Sequence, residues 1–542
     1  MKNILGILFT ALVLISCKKE NKISDYTTNT HNYTDLLLSK SAIDSYFKSN
    51  PENEKIIKEV NLFYQNRNFQ YAWLNKNGIT QAVPNFQNQL LNYSTDFDDK
   101  TFNNTQLDTL ITYMKTNQNA SKLNKDKQQK LELILTTTFF KYSQKAFSGT
   151  NKNTRQLDWY IPRSKKDFQV LLDSLVLKDE NDTTYEPVNL YYTKLKEKLR
   201  LYRDIKKKGG FPVIKSNQEF LTKTEVDSTL LQVKKRLFLS GDLKINDNSI
   251  IYTKDLVTAV SNFQQRVGLP YNGKLDFKTI AELNKTVDFR IKQMLVNLER
   301  LRWVPVNIEN DYVLVNIPEY KLHVFENKKH LWETNVVVGK DAKQTSIFKG
   351  NISRIILNPY WNVPNSIIKD EILPKLKLNP NYLELNEMEV VDDDGILINP
   401  ETINWNNYSE NVPFIIRQKP SETNALGKMK FLFPNNFSIY LHDTPSKELF
   451  NQTKRDFSHG CIRIENPMKL AMYLLRNDKN WNQEKIDTVL KTTTETGISI
   501  KPNLPVYITY FTAWVDMNGN LNFRNDIYGL DDQLSKEIFI DN

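Results

Sequence analysis

The chain has 542 residues, 40% of them hydrophobic and 25% charged, with only 16 glycines, which fits a soluble body of three or four domains. The net charge of +10 suits an anionic polymer or a membrane surface as partner, but the lysines and arginines are not clustered as a nucleic-acid site requires, and that class is excluded. The two cysteines, Cys17 and Cys461, lie at opposite ends of the chain.

Lys2, an apolar run from Ile4 to Ile15 and then Ser16-Cys17 read as a secretory signal, too short to span a membrane as a mature helix. Leu14-Ile15-Ser16-Cys17 also resembles a bacterial lipobox, which implies cleavage before Cys17 and lipidation of its thiol; the alternative is a plain signal with an incidental cysteine. Residues 1–16 are then the signal peptide and 17–33, polar and without apolar period, a tether. The mature protein is expected outside the cytoplasm, with no disulfide partner for Cys461 once Cys17 is acylated.

From Thr34 to Phe220 the patterns are helical: Asp35 to Leu38, Glu54 to Tyr64, and a long periodic stretch from Lys127 to Phe147. Phe63 to Trp73 packs five aromatics into eleven residues, a cluster expected to be core. This first region, 34–220, ends near Gly209-Gly210. In the module 226–286, Leu230, Val233 and Leu237, then Leu256, Val260 and Phe263, mark two amphipathic helices, and turns at Gly268 and Gly273 precede a third ending at Leu283-Asn284. The order of leucines, Phe-Gln and two glycine turns resembles the three-helix peptidoglycan-binding domain. Residues 287–310 hold one more helix, striped by Ile291, Leu295, Leu298 and Leu301, as a linker.

The period then switches to strands at Tyr312–Asn316, Lys321–Phe325 and Trp332–Val338. His323 and His330, in a strand and its turn, read as structural. Between Trp361 and Leu432 the short strands are interrupted: Ile367–Leu373 reads as a helix stopping at Pro374, Asp392 to Gly395 as a turn without EF-hand alternation, and Lys419–Gly427 as polar loop. A strand from Phe437 leads into His442, a helix spans Asn466–Leu475, and a final strand spans Val506–Val515.

Tyr440-Leu441-His442-Asp443-Thr444-Pro445 is followed, with fifteen residues between the histidine and the serine, by Ser458-His459-Gly460-Cys461-Ile462-Arg463. A lone thiol beside histidines is a candidate nucleophile. An ordinary thiol of pKa about 8.5 needs a cation or base beside it to ionise near neutrality, and His442 or His459 supplies one. Gly460 allows a sharp turn that can aim amides at an oxyanion. Arg463 shares a face with Cys461 in an extended segment and offers a cation to a substrate carboxylate. A zinc site of His442, His459 and Cys461 is the rival; the His-x-Cys spacing suits a strand better than the usual metal spacings, so no metal and no other cofactor is expected.

His442, the gap, and Ser458-His459-Gly460-Cys461 resemble the active-site signature of L,D-transpeptidases with the YkuD fold. Arg463 stands where the family often has asparagine and resembles the large YcbB-like subgroup, as do Asn358 to Pro364, Asn424 to Gly427 and Tyr440 to Pro445. The resemblance implies a multi-domain α+β fold: a mainly helical scaffold, a small three-helix peptidoglycan-binding-like module and a mostly β catalytic domain, 311–515, with a lid-like insertion at 366–432 and a tail at 516–542. It implies cross-linking of peptidoglycan peptide stems with release of D-alanine through a thioester on Cys461, with His442 as base and His459 and Gly460 shaping the turn. Arg463, Tyr440, Trp361, Asp443 and Ser458 are candidates for the substrate cleft. The expected protein is a monomer, lipid-anchored through Cys17 in the cell envelope and facing the periplasm, with no nucleic-acid partner. An L,D-carboxypeptidase on the same fold and a non-enzymatic wall tether are the alternatives.

Overall fold

The computed structural model describes residues 34–116, 124–177, 186–215, 220–221 and 226–539, so the signal, Cys17 and the tether lie outside the described residues. Two units emerge, one of residues up to Val83 with Asn104–Thr137, the other of Pro84–Asn103 with everything from Thr138. Among the described residues no helix is long and apolar enough to cross a membrane.

The first unit is helical, with Lys40–Ser49, Ile57–Asn66 and Thr105–Thr116 as its principal complete helices. Asp35 to Leu38 is extended, not helical: Leu38 N–H donates to Phe69 O and Tyr71 N–H to Leu36 O, and the helix begins only where the Ser39 hydroxyl caps Ala42 N–H. A short leucine run fits strand or helix equally, and the cap decides. Phe63, Tyr64, Tyr71 and Trp73 are core, as their clustering predicts. They enclose the Glu132 carboxyl, which accepts from Tyr64 OH at 2.9 Å, Trp73 N–H at 3.1 Å and Ala72 N–H, and which burial pushes up to about 7.

In the second unit, helix Leu190–Lys207 packs on helix Val287–Trp303. The latter is buried almost all round, where the sequence predicts a one-sided stripe. Its polar residues are paired inward: Arg300 with Asp531 at 2.5 Å, Arg302 with Glu299 at 2.5 Å, and Asn297 Nδ2 with Thr512 Oγ1 at 2.7 Å. Periodicity alone does not reveal such a helix, because charge counts as exposure until its partner is known. The small module folds as helices Thr229–Leu239, Lys254–Val267 and Phe277–Leu283 around Leu230, Val233, Leu237, Leu256, Val260 and Phe263.

The sheet-rich region is a closed barrel. Its strands are β1 (Tyr312–Asn316), β2 (Lys321–Glu326), β3 (Lys329–Gly339), β4 (Lys349–Leu357), β5 (Met429–Leu432), β6 (Leu441–His442), β7 (Ile462–Ile464) and β8 (Thr496–Thr509). The hydrogen-bonded order is β3-β7-β6-β5-β4-β8-β1-β2, and β2 pairs back with β3. The β6–β7 and β8–β1 pairs are parallel, the rest antiparallel. Val315, Leu322, Val336, Ile355, Phe431, Leu441, Ile462 and Ile508, one from each strand, share the inner face with no exposed area. Closure removes every edge except where Asp456–Ser458 adds beside β3.

Two boundaries differ from the sequence reading. Met429–Leu432 is a barrel strand, whereas Trp361–Asn362 joins Leu397–Ile398, Met388–Val391 and Ile415–Gln418 in a separate antiparallel sheet, so the insertion is offset toward the N-terminus. The insertion has its own core of Ile368, Leu373, Leu376, Val390, Trp405 and Ile416. Its helical entry does not stop at Pro374: a π-helical turn, Ile368–Ile372, precedes helix Leu373–Leu378, which starts with the proline in its first turn, where no N–H is required. The last barrel strand ends at Thr509, and Ala513–Val515 instead forms a hairpin with Leu521–Phe523. Polar Asn316 makes that break: its Oδ1 accepts from Phe511 N–H and its Nδ2 donates to Phe511 O, substituting for ladder bonds.

Candidate active site

The register of three neighbouring strands assembles the site. In β5–β6, Lys430 lies opposite His442; in the parallel β6–β7 pair, His442 lies beside Arg463. Because alternate residues share a face, Tyr440, just ahead of β6, with His442, and Cys461, just ahead of β7, with Arg463, are brought to the outer side, opposite the buried Leu441, Ile462 and Ile464. The Tyr440 and His442 rings meet edge to face at 5.6 Å, and Lys430 Nζ stands 4.0 Å over the Tyr440 ring.

The turn before Cys461 is braced from within. Gly460 has φ +112°, a conformation that excludes a side chain. Ser458 Oγ donates to Cys461 O at 2.5 Å and accepts from Gly460 N–H at 3.1 Å, so the buried Ser458 hydroxyl and the Gly460 amide are committed to the turn. Thr345 Oγ1 donates to Gly460 O at 2.8 Å, and a Cβ on Gly339 would fall 3.0 Å from Gly460 Cα. The thiol donates to Ser438 O at 3.6 Å, a carbonyl presented by a residue at φ +56°.

His442 is buried, and its Nδ1–H donates to Asp443 O at 2.5 Å, which leaves the Nε2 lone pair for proton transfer. It is the main chain of Asp443 that holds the imidazole. Its carboxylate accepts from Lys428 N–H at 2.8 Å and pairs with Lys447 at 2.5 Å, and a Cβ on Gly427 would lie 2.4 Å from it. His459 is exposed, and its Nε2 lies 2.9 Å from Glu371 Oε1 on the π-helical turn of the insertion. Trp361 sits at the base of the insertion sheet, pairing with Gln418. Arg463 Nε is buried without a hydrogen-bond partner.

Burial pushes the Cys461 thiol up, against the opposing pull of Tyr440, Lys430 and Arg463. Burial, Arg463 and Lys430 together push the His442 imidazole down to about 3. The sequence leads one to expect a thiolate held by a neighbouring cation. The cations are present, and desolvation outweighs them, so thiol and imidazole rest uncharged. Lys430 and Glu371 are the residues the sequence reading missed. Lys430 is the one charge in Met429-Lys430-Phe431-Leu432, the only local signal; Glu371 has none, since only the fold of the insertion brings it to His459.

A closed barrel with a thiol, an imidazole and a hydrogen-bond-deficient guanidinium on one face defines a cysteine-site β domain. Residues 310–494 match the YkuD L,D-transpeptidase catalytic domain and residues 58–199 match the Scaffold domain. The chain thus carries a YkuD-family L,D-transpeptidase catalytic domain behind a scaffold domain. A Haemophilus influenzae protein described as "Putative L,D-transpeptidase" is 36% identical over 244 residues, 45% of this chain and 49% of that relative, so the match spans about half of the relative's length. Solved L,D-transpeptidases from Xylanimonas cellulosilytica (residues 123–326; 14% identity, 54% of this chain, 100% of that one, TM-score 0.18) and Stackebrandtia nassauensis (10%, 54%, 97%, 0.21) are also similar.

Proposed function

We propose that the protein is an L,D-transpeptidase of the bacterial envelope, anchored by a lipid on Cys17 and acting on peptidoglycan peptide stems through Cys461. The observation that carries the reading is the shared outer face of β6 and β7, where a neutral imidazole with a free Nε2 and a guanidinium with an unused Nε lie beside the thiol's strand. Arg463, helped by Lys430, receives a stem carboxylate, and that negative charge offsets the positive field which holds His442 so weakly basic. Sulfur attacks the carbonyl before the terminal D-alanine as its proton passes to His442 Nε2. The C–N bond breaks, the proton leaves with the D-alanine amine, and a thioester remains. An amine of a second stem attacks the thioester, gives its proton to His442, and the thiol is restored. His459 and Gly460 shape the turn; Tyr440 lines the sulfur, and Trp361 borders the cleft from the insertion.

Mass analysis of muropeptides after incubation with the purified protein tests this. Dimers joined between two L,D-type stem positions, with one D-alanine released per link and none formed by Cys461→Ser, are expected. Trimmed stems alone would make the protein a carboxypeptidase, and unchanged stems would reject the enzymatic reading. The anchor is tested separately: Cys17→Ala is expected to leave the membrane fraction, and a variant still membrane-bound removes the lipid from the account.

A further inference from the structure

We propose a divalent metal site, of the kind zinc fills, on the β2–β3 hairpin, made by His323 Nδ1, His330 Nε2 and a Glu333 carboxylate oxygen. These atoms lie 3.2 Å apart for the two imidazoles, 3.4 Å for His323 and Glu333 Oε2, and 3.8 Å for His330 and Glu333 Oε2. With zinc–ligand distances of about 2.0–2.1 Å, tetrahedral geometry sets ligands about 3.3–3.4 Å apart, so one ion fits among the three with small adjustments.

The local fold explains how the three meet. In regular pairing, His323 opposite Glu333 and Val324 opposite Trp332 would put Leu331 opposite Phe325 and turn His330 to the other face. The register instead shifts, Phe325 pairs with His330, and Leu331 becomes the extra, half-exposed residue. That bulge is what carries His330 to the side of His323 and Glu333, and bulges commonly re-aim a side chain in this way. Behind the site, the part-buried Glu319 places Oε2 3.0 Å from His323 Nε2, with Asn316 Nδ2 donating to the same oxygen at 3.3 Å. A carboxylate on the far nitrogen keeps the proton on Nε2, so Nδ1 is the nitrogen that gives up its proton to a metal; such a carboxylate is the usual outer partner of a ligating histidine. Lys321 holds the other oxygen of Glu333, leaving Oε2 for the ion. His330 and Glu333 remain partly exposed, giving an entry path and an open fourth position for water. The ion takes the place of a proton held among the three groups and clasps the strand pair that closes the barrel. This site shares no residue with Cys461, His442 or His459.

The test titrates purified protein with Zn2+ against a chromophoric chelator. One equivalent is expected in the wild type and equally in Cys461→Ser, with binding weakened at least about 100-fold in His330→Ala and Glu333→Gln, and about 10- to 100-fold in Glu319→Gln. Co2+ is expected to give tetrahedral visible bands without thiolate charge transfer, and added Zn2+ to raise the thermal midpoint of the wild type but not of His330→Ala. His330 lies at the partly exposed start of β3, so that variant is expected to fold with the wild-type metal-free midpoint; Glu333→Gln provides the same readout independently. No stoichiometric zinc in the wild type, retention of binding in both ligand variants, or its loss in Cys461→Ser would overturn the proposal.

Discussion

Burial keeps both partners of the thiol–imidazole pair uncharged although Arg463 and Lys430 stand beside them, and this sets how the free protein behaves toward small electrophiles. Alkylation of Cys461 by iodoacetamide is expected to rise with a midpoint above the ordinary thiol value of about 8.5. Arg463→Gln removes a cation that favours the thiolate, so its midpoint is expected to move higher still. The same change should lower kcat/KM about 10- to 100-fold, the worth of a charged hydrogen bond of about 1.5–3 kcal/mol. A midpoint below 8, or one unmoved by the substitution, would contradict the electrostatic account. A β-lactam of the carbapenem type is expected to add once to the intact protein and not to Cys461→Ser; an adduct mapped to another residue would reject Cys461 as nucleophile. His442 also links stability to acid. Its folded value of about 3 lies below the unfolded value of about 6.5, so the unfolded chain binds the extra proton between them. The corresponding stability is present above pH 6.5, falls as the pH drops toward 3, and is level below. His442→Gln is expected to remove that slope from the thermal midpoint of the catalytic domain.

Strand register, more than composition, decides which of these residues meet. The motif from Tyr440 to Arg463 was legible because its residue types are rare in this chain and its alternation predicts that Cys461 and Arg463 share a face. Lys430 was not, because opposing it to His442 requires the β5–β6 register, which no local pattern encodes. The helical entry of the insertion is visible in the sequence, yet Pro374, which reads there as a stop, is a start because a π turn precedes it. That turn carries Glu371 to within 2.9 Å of His459, next to the turn that presents the thiol. We read the insertion as a lid latched by this pair, which keeps water from the thioester until an amine arrives. Both partners are partly exposed, so the latch is worth about 0.5–1 kcal/mol at most. Glu371→Gln is expected to lower the ratio of cross-linked dimers to trimmed stems about two- to fivefold at unchanged acylation rate. An unchanged ratio would mean the insertion docks without gating.

Across the whole molecule the apolar periods located the helical region, the three-helix module and the switch to strands, but not how tightly the pieces of the second unit are tied. Helix Val287–Trp303 reads as a linker because its polar residues look exposed; in the fold Arg300, Arg302 and Asn297 pair with Asp531, Glu299 and Thr512, and the supposed tail supplies Asp531. The small module is tied in the same way. Arg266 pairs with Asp242 at 2.5 Å and donates to Leu521 O at 2.5 Å, while Arg524 donates to Arg266 O at 2.8 Å. These bonds cross from the end of helix Lys254–Val267 to the hairpin following the barrel, so the module is a fixed arm of the catalytic domain. A wall-binding module so held would present stems to the cleft in one orientation, whereas a loose spacer would not. Gly268 is the place to separate the two: it closes that helix at φ +74°, and a Cβ there would lie 2.7 Å from Arg524 Cδ. Gly268→Ala adds left-handed strain of order 1–3 kcal/mol and pushes Arg524 off Arg266 O. Hydrogen exchange is expected to quicken together in Leu521–Phe523 and in the last turn of Lys254–Val267, with β-lactam acylation of Cys461 unchanged and cross-linking of intact wall reduced. Faster exchange confined to the helix end would instead mark simple loss of its cap, and the module would then be a spacer hung on the domain, not an arm of it.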